Sequence, residues 1–225
     1  MRRLLKFFRS SIGMKVVMAV SGLILVLFVI GHMAGNLKVF QGPEKFDAYA
    51  EFLREMGYPL VGHGQLLWVV RIVLLASVIA HIGAAIQLTR LGTGARPVRY
   101  QRWAPDASTY ASRTMRWGGV IVLAFVVYHL LHLTFGTVHP DFLAGAAYHN
   151  VIVGFRVWPV AASYVVAVTA LGFHLYHGVW SVFQSLGANH PDYNRYRRPV
   201  AGAVAVGVTL GFMTVPIAVV TGLVR

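Results

Sequence analysis

VVYHLLHLTF, residues 126–135, is almost wholly apolar and yet holds two imidazoles, His129 and His132, three residues apart. It belongs to a longer apolar run over 114–137. At 1.5 Å rise per residue such a run matches a hydrocarbon core of about 30 Å. A helix is the one form in which a single segment satisfies its own backbone polar groups in lipid. The stretch therefore reads as a membrane-spanning helix. Four other runs read the same way: 15–40, 66–90, 158–187 and 199–223. The expected fold is all-α, a polytopic membrane protein with five transmembrane helices in one domain over 1–225. Four helices would form the core around the histidines, with the fifth beside them.

Composition agrees. Hydrophobic residues make up 57% of the 225-residue chain and charged residues only 12%, a balance that excludes an ordinary soluble domain. The chain has no cysteine. That removes disulfides, zinc–thiolate sites, iron–sulfur clusters and cysteine nucleophiles together. The opening MRRLLKFFRSSIG is basic, but the apolar run behind it is too long for the core of a signal peptide, so it is expected to lead into the first span.

The net charge of +13 would suit nucleic acid, but its distribution points elsewhere. With the N-terminus inside, 14 of the 20 Lys and Arg fall on inner segments, among them Arg2, Arg3, Lys6, Arg9, Arg96, Arg99, Arg102 and Arg113. That bias sets the orientation, N-terminus cytoplasmic, and no nucleic-acid partner is expected. All seven acidic residues lie in expected loops, so no span carries the intramembrane carboxylate that proton-coupled carriers use. The fifth span is rich in Gly and Ala; Gly202, Gly207 and Gly211 suit close helix packing, and Pro216 a kink near its end.

Six histidines fall within spans: His32, His81, His129, His132, His174 and His177. A lone imidazole in a membrane helix is a packing residue; four helices carrying them call for a shared ligand. A b-type haem with two axial histidines needs its ligands at one depth on facing helices. Counting from the inner ends of straight helices, His32 lies at roughly 25 Å, His129 at roughly 22 Å and His132 at roughly 27 Å. His81 lies at roughly 14 Å, His177 at roughly 15 Å and His174 at roughly 20 Å. Depth thus pairs His32 with His129 or His132, and His81 with His177 in preference to His174. The remaining member of each doublet is left for a second contact or for packing. Haem propionates need cations near the surfaces, and Arg71 and Arg116 stand at span ends as candidates.

At these residues the chain resembles the cytochrome b subunit of succinate dehydrogenase and fumarate reductase, in its five-helix, di-haem b558 form. The resemblance runs through SGLILVLFVIGHMAGNL around His32, VIAHIGAAIQL around His81, TMRWGGVIVLAFVVYHLLHLTFG around His129 and GFHLYHGVWSVFQSLG around His177. It implies bis-histidine haems joining the first span to the third and the second to the fourth. The family's His-Gly pair matches His177-Gly178, and the first histidine of the third-span doublet aligns best. The implied ligand set is His32, His81, His129 and His177, with His132 and His174 beside the haems.

The resemblance further implies two haem b, flavoprotein and iron–sulfur partner subunits, and a multi-pass place in the cytoplasmic membrane of a prokaryote. Electrons would pass from succinate to a quinone, menaquinone for the di-haem type. SSIGMK, residues 10–15, resembles a quinone-site stretch, which makes Ser11 and Lys15 candidates; Lys stands where Arg is usual and Met where His is usual. Some di-haem relatives carry a carboxylate two residues before the His-Gly histidine; here the position is Leu175. Two alternatives stay open: a quinone-reactive cytochrome b of a formate dehydrogenase or hydrogenase, and a haem-free membrane anchor.

Overall fold

The structure, a computed structural model, describes residues 7, 10–95, 110–188 and 190–225, and side chains of the third long helix from Met115 onward. Of the inner-face cations, Arg2, Arg3, Lys6, Arg9, Arg96, Arg99 and Arg102 lie outside the described residues, as do Asp106 and the side chain of Arg113.

The described chain is all-helical. In order, it runs α1 (Ser11–Asn36), a 3-10 turn (Leu37–Gln41), α2 (Pro43–Glu55), α3 (Gln65–Gly94), α4 (Tyr110–His129), a π turn (Leu130–Thr134), α5 (Ala147–Arg156), α6 (Trp158–Ser185) and α7 (Pro191–Val220). Five segments are long and apolar enough to cross a membrane, beginning at Ser11, Gln65, Met115, Trp158 and Pro191. Their outward side chains suit lipid: Ile72, Leu75, Ile79, Val166 and Leu210 are all exposed. Ser21, Ser77 and His132 are among the polar residues buried inside the bundle.

Local chemistry explains the ends. Ser10 caps α1: its hydroxyl oxygen accepts from the Gly13 N–H at 3.1 Å. Gly42, at φ 92°, turns the chain into α2, whose first residue is Pro43. His190 caps α7, its Nδ1 accepting from the Asp192 N–H at 3.3 Å. That helix begins eight residues before the expected 199 and continues through Pro199 and Pro216 to Val220. Similarly α3 reaches Gly94, four residues beyond the expected 90.

Packing falls into two layers. In the middle of the bundle, Leu175 of α6 meets Ala205 and Val208 of α7, with Val29 and Met33 of α1 against them. Gly202 and Gly207 contact nothing at their Cβ positions, so the small-residue packing comes from Ala201, Ala205 and Gly211 instead; a Cβ at Gly211 would meet the Met33 side chain. At the far face, α2 and α5 cover the bundle end through Val39, Phe46, Val151, Ile152, Phe155, Tyr164, Val215 and Val219. These two short helices replace expected loops. Asp47 joins them, its Oδ1 accepting from the Tyr148 N–H at 2.8 Å. The opposite end is basic: Lys15, Arg90, Arg116, Arg195, Arg197 and Arg198 gather where α1, α4 and α7 begin and α3 and α6 end.

Candidate functional site

The six intramembrane histidines form two groups at two depths. The first pair is His32 of α1 and His129 of α4, with ring centroids 5.8 Å apart and planes 78° apart. Aromatic rings surround it: Phe28 lies 5.3 Å and Phe212 5.8 Å from His32, and Phe125 lies 6.0 Å from His129. The second pair is His81 of α3 and His174 of α6, 6.2 Å apart. Here small residues make the room. A Cβ at Gly22 would stand 3.2 Å from His81 Cε1, and one at Gly119 would stand 3.6 Å from His174 Cε1.

Three helices report the same offset between these levels. Gly22 and His32, Gly119 and His129, and Tyr164 and His174 are each ten residues apart, about 15 Å along an α-helix. The pairs are therefore stacked across the bundle.

The second pair departs from the sequence expectation, which set His177 opposite His81. Real helix ends explain it. Because α3 runs on to Gly94, His81 is roughly 20 Å from the basic end, whereas His174 is roughly 16 Å and His177 roughly 12 Å from Ser185. His177 packs instead against Trp180 at 5.7 Å, whose ring also carries Arg198 at 5.9 Å. In the α4 doublet, His129 faces His32, while His132 is fully buried on the π turn and stacks on Tyr128 and His139.

Hydrogen bonds fix ring states. Ser21 Oγ donates to Val17 O at 2.7 Å, so it is free only to accept from His81 Nδ1, 3.3 Å away. His81 then carries its proton on Nδ1 and leaves Nε2 bare. The Tyr164 hydroxyl stands 3.3 Å from His129 Nδ1 and 2.9 Å from His132 Nδ1. Three buried atoms, His174 Nδ1, His177 Nδ1 and His132 Nε2, have no hydrogen-bond partner among the described residues. Two imidazoles bound to one metal from opposite sides, at about 2.0–2.1 Å each, have centroids roughly 6 Å apart. Both pairs have that spacing, and His81 presents the ring nitrogen that ligation needs. Among the described residues no group of three or more His, Asp or Glu forms an all-protein metal cage. The donor set thus fits a prosthetic group that brings its own equatorial ligands.

Across residues 90–214 the chain matches the model of the succinate dehydrogenase/fumarate reductase transmembrane subunit. The chain belongs to that family. It is accordingly a multi-pass membrane subunit of the succinate dehydrogenase/fumarate reductase type, whose catalytic subunits are separate chains. The match covers the α4 and α6 histidines and leaves His32 and His81 outside it. No curated protein and no solved structure matches the chain significantly.

At the basic end a cleft of about 330 Å³ is lined by Ile12, Lys15, Ser181, Gln184 and Ser185. It contains Lys15 but not Ser11, which is exposed at the start of α1. Ser181, Gln184 and Ser185 escaped the sequence reading because polar residues in a last helical turn look like ordinary surface. The two candidate propionate cations stand on α3 and α4. Arg71 is exposed, its guanidinium 5.0 Å from the Trp68 ring, and lines a far-face cleft with Glu51, Arg54 and His63. Arg116 is exposed on α4. Tyr164 is the participant the sequence reading missed altogether.

Proposed function

We propose that this subunit binds two haem b and carries electrons between an iron–sulfur subunit at its basic face and a membrane quinone, menaquinone for the di-haem type. The observation that carries the reading is the stack of two imidazole pairs, His32–His129 and His81–His174, each at ligating spacing and about 15 Å apart along the helices. When bound, each haem supplies reversible one-electron carriage. The chain's own part is to hold paired imidazoles at fixed depth, to direct Nδ1 of His81 onto Ser21, and to keep water from the His32 pair with phenylalanines.

His174 takes the place of His177 in this ligand set, since it faces His81. His177 and Trp180 then form part of the basic surface with Arg198. The charge bias supports a cytoplasmic N-terminus and a docking face for the catalytic subunits at the basic end. The cleft bearing Lys15, Ser181 and Gln184 supports a quinone headgroup there: an ammonium and a hydroxyl suit carbonyl oxygens, and Ile12 offers an apolar contact to a ring. Succinate chemistry belongs to the partner subunits.

The test is a dithionite-reduced minus oxidised spectrum of the purified chain with a pyridine haemochrome assay. Two haem b per chain are expected. No haem in a folded preparation would leave a bare anchor and refute the reading.

A further inference from the structure

His132 poses a problem that haem binding alone leaves unsolved. It is fully buried, and its Nε2 has no partner. An unpaired buried polar atom is costly, so its environment needs a reason. The ring is clamped. His139 stacks on it at 4.9 Å, Tyr128 at 5.6 Å, and a Cβ at Gly154 would stand 2.8 Å from its Cε1. His139 is itself fixed, with Nε2 donating to Asn150 O at 2.8 Å and Nδ1 accepting from the Asp141 N–H at 3.1 Å. Among the described residues His132 makes one hydrogen bond, to the Tyr164 hydroxyl.

Tyr164 has one proton to give and stands between two Nδ1 atoms. Its ring is held edge-on by Phe125 at 4.9 Å and Phe155 at 4.8 Å, so the hydroxyl cannot swing away. The remainder follows from proton counting, given the reading above that His129 ligates iron. Ligation through Nε2 leaves the proton of a neutral His129 on Nδ1, and Nδ1–H donates to the Tyr164 oxygen. Tyr164 must then donate to His132 Nδ1, which forces the His132 proton onto Nε2, the unpaired atom. One ordered chain, His129 to Tyr164 to His132, accounts for all three residues.

We propose that Tyr164 and His132 are positioning residues that lock the tautomer of His129 and tune the potential of the haem it holds. Accepting from Nδ1–H makes His129 a more basic ligand and favours the ferric state. Donating onward to His132 sharpens Tyr164 as an acceptor, because chained hydrogen bonds polarise one another.

The test is a potentiometric titration of the full chain in detergent, following each haem optically. Tyr164→Phe keeps both haems and shifts the ferric-to-ferrous ratio of the His32–His129 haem about tenfold toward ferrous, a rise of about 59 mV for one electron. The other haem does not move. His132→Leu, which leaves Tyr164 without its acceptor, produces a smaller rise in the same haem. Phe46→Leu, which loosens the far-face packing against Tyr148 but removes no hydrogen bond, leaves both potentials in place. If Tyr164→Phe fails to retain the haem, His132→Leu decides alone: a rise supports the relay and an unchanged potential overturns it. Two haems in the parent protein with both potentials unmoved by Tyr164→Phe would overturn the relay and spare the di-haem reading. A parent protein without haem would overturn both.

Discussion

Replacing His174 by alanine is the sharpest separation between what the histidine spacing suggested and what the fold brings together. His174 faces His81 with centroids 6.2 Å apart, and His177 lies one turn nearer the basic end against Trp180. Three residues of α-helix amount to about 4.5 Å along the axis. That is more than twice a metal–imidazole bond of about 2.0–2.1 Å, so His177 cannot take over without α6 sliding by nearly a turn. Such a slide would strip Leu175 from Ala205 and Val208 and press Gly172 out of register with Thr209. His174→Ala is therefore expected to halve the haem content, from two per chain to about one, and His81→Ala to do the same. His177→Ala should retain two. The pyridine haemochrome assay reads the stoichiometry directly. His174→Met provides a check that does not depend on losing the haem: a thioether keeps a ligand in place and raises the potential of that haem alone. Loss of one haem in His177→Ala, with two retained in His174→Ala, would refute the pairing by geometry and restore the pairing by depth.

Other consequences are open to direct measurement. In the assembled complex, Lys15→Ala should raise the quinone KM about tenfold, the value of a lost charge-assisted hydrogen bond of about 1.5 kcal/mol, with haem spectra unchanged; an unaltered KM would place the quinone elsewhere. Gly154→Ala should destabilise the far-face cap by about 1–3 kcal/mol, because the added methyl meets the clamped imidazole of His132 rather than a flexible chain. Thermal unfolding in detergent reads this, and a stability equal to the parent would show that the ring can yield. Asp47→Ala should speed hydrogen exchange at the Tyr148 amide about tenfold, as α5 loses the carboxylate that α2 lends it, while exchange in α6 stays slow.

The spans were legible because lipid demands long uninterrupted apolar helices, and sequence shows length and hydropathy directly. The short helices α2 and α5 were not. Residues 43–55 carry Glu44, Asp47, Glu51 and Glu55, so the segment read as a polar loop; its single buried anchor, Phe46, gains meaning only when α5 and the end of α7 close over it. That His32 lies level with His129 or His132 was readable from depth, since α1 and α4 each begin four residues before the expected start and the two offsets cancel. The pairing of His81 with His174 was not, because α3 continues through Arg90 to Gly94 and carries His81 deeper than a boundary set at the first cation allows. Tyr164 had no local signal at all: a tyrosine near a span end reads as an interfacial aromatic, and its contact with two imidazoles exists only across 32 to 35 residues of chain.

The two pairs are held by different means, and the difference follows from where each lies. Ser21 serves His81 from within α1, discharging its own proton onto Val17 O one turn back, as serines in membrane helices do. That arrangement is self-contained and needs only that Gly22 let the imidazole come close. His129 has no such neighbour on α4, where the preceding turn is Phe125. Its partner must come from α6, and a tyrosine that accepts from one imidazole must still dispose of its proton. The π turn at Leu130–Thr134 answers this: it ends α4 directly after His129 and delivers His132 to the other side of the hydroxyl. On the relay proposed above, the second histidine of VVYHLLHLTF is not a spare ligand for the first: it would complete the hydrogen bonding that the first requires, from three residues on across a break in the helix.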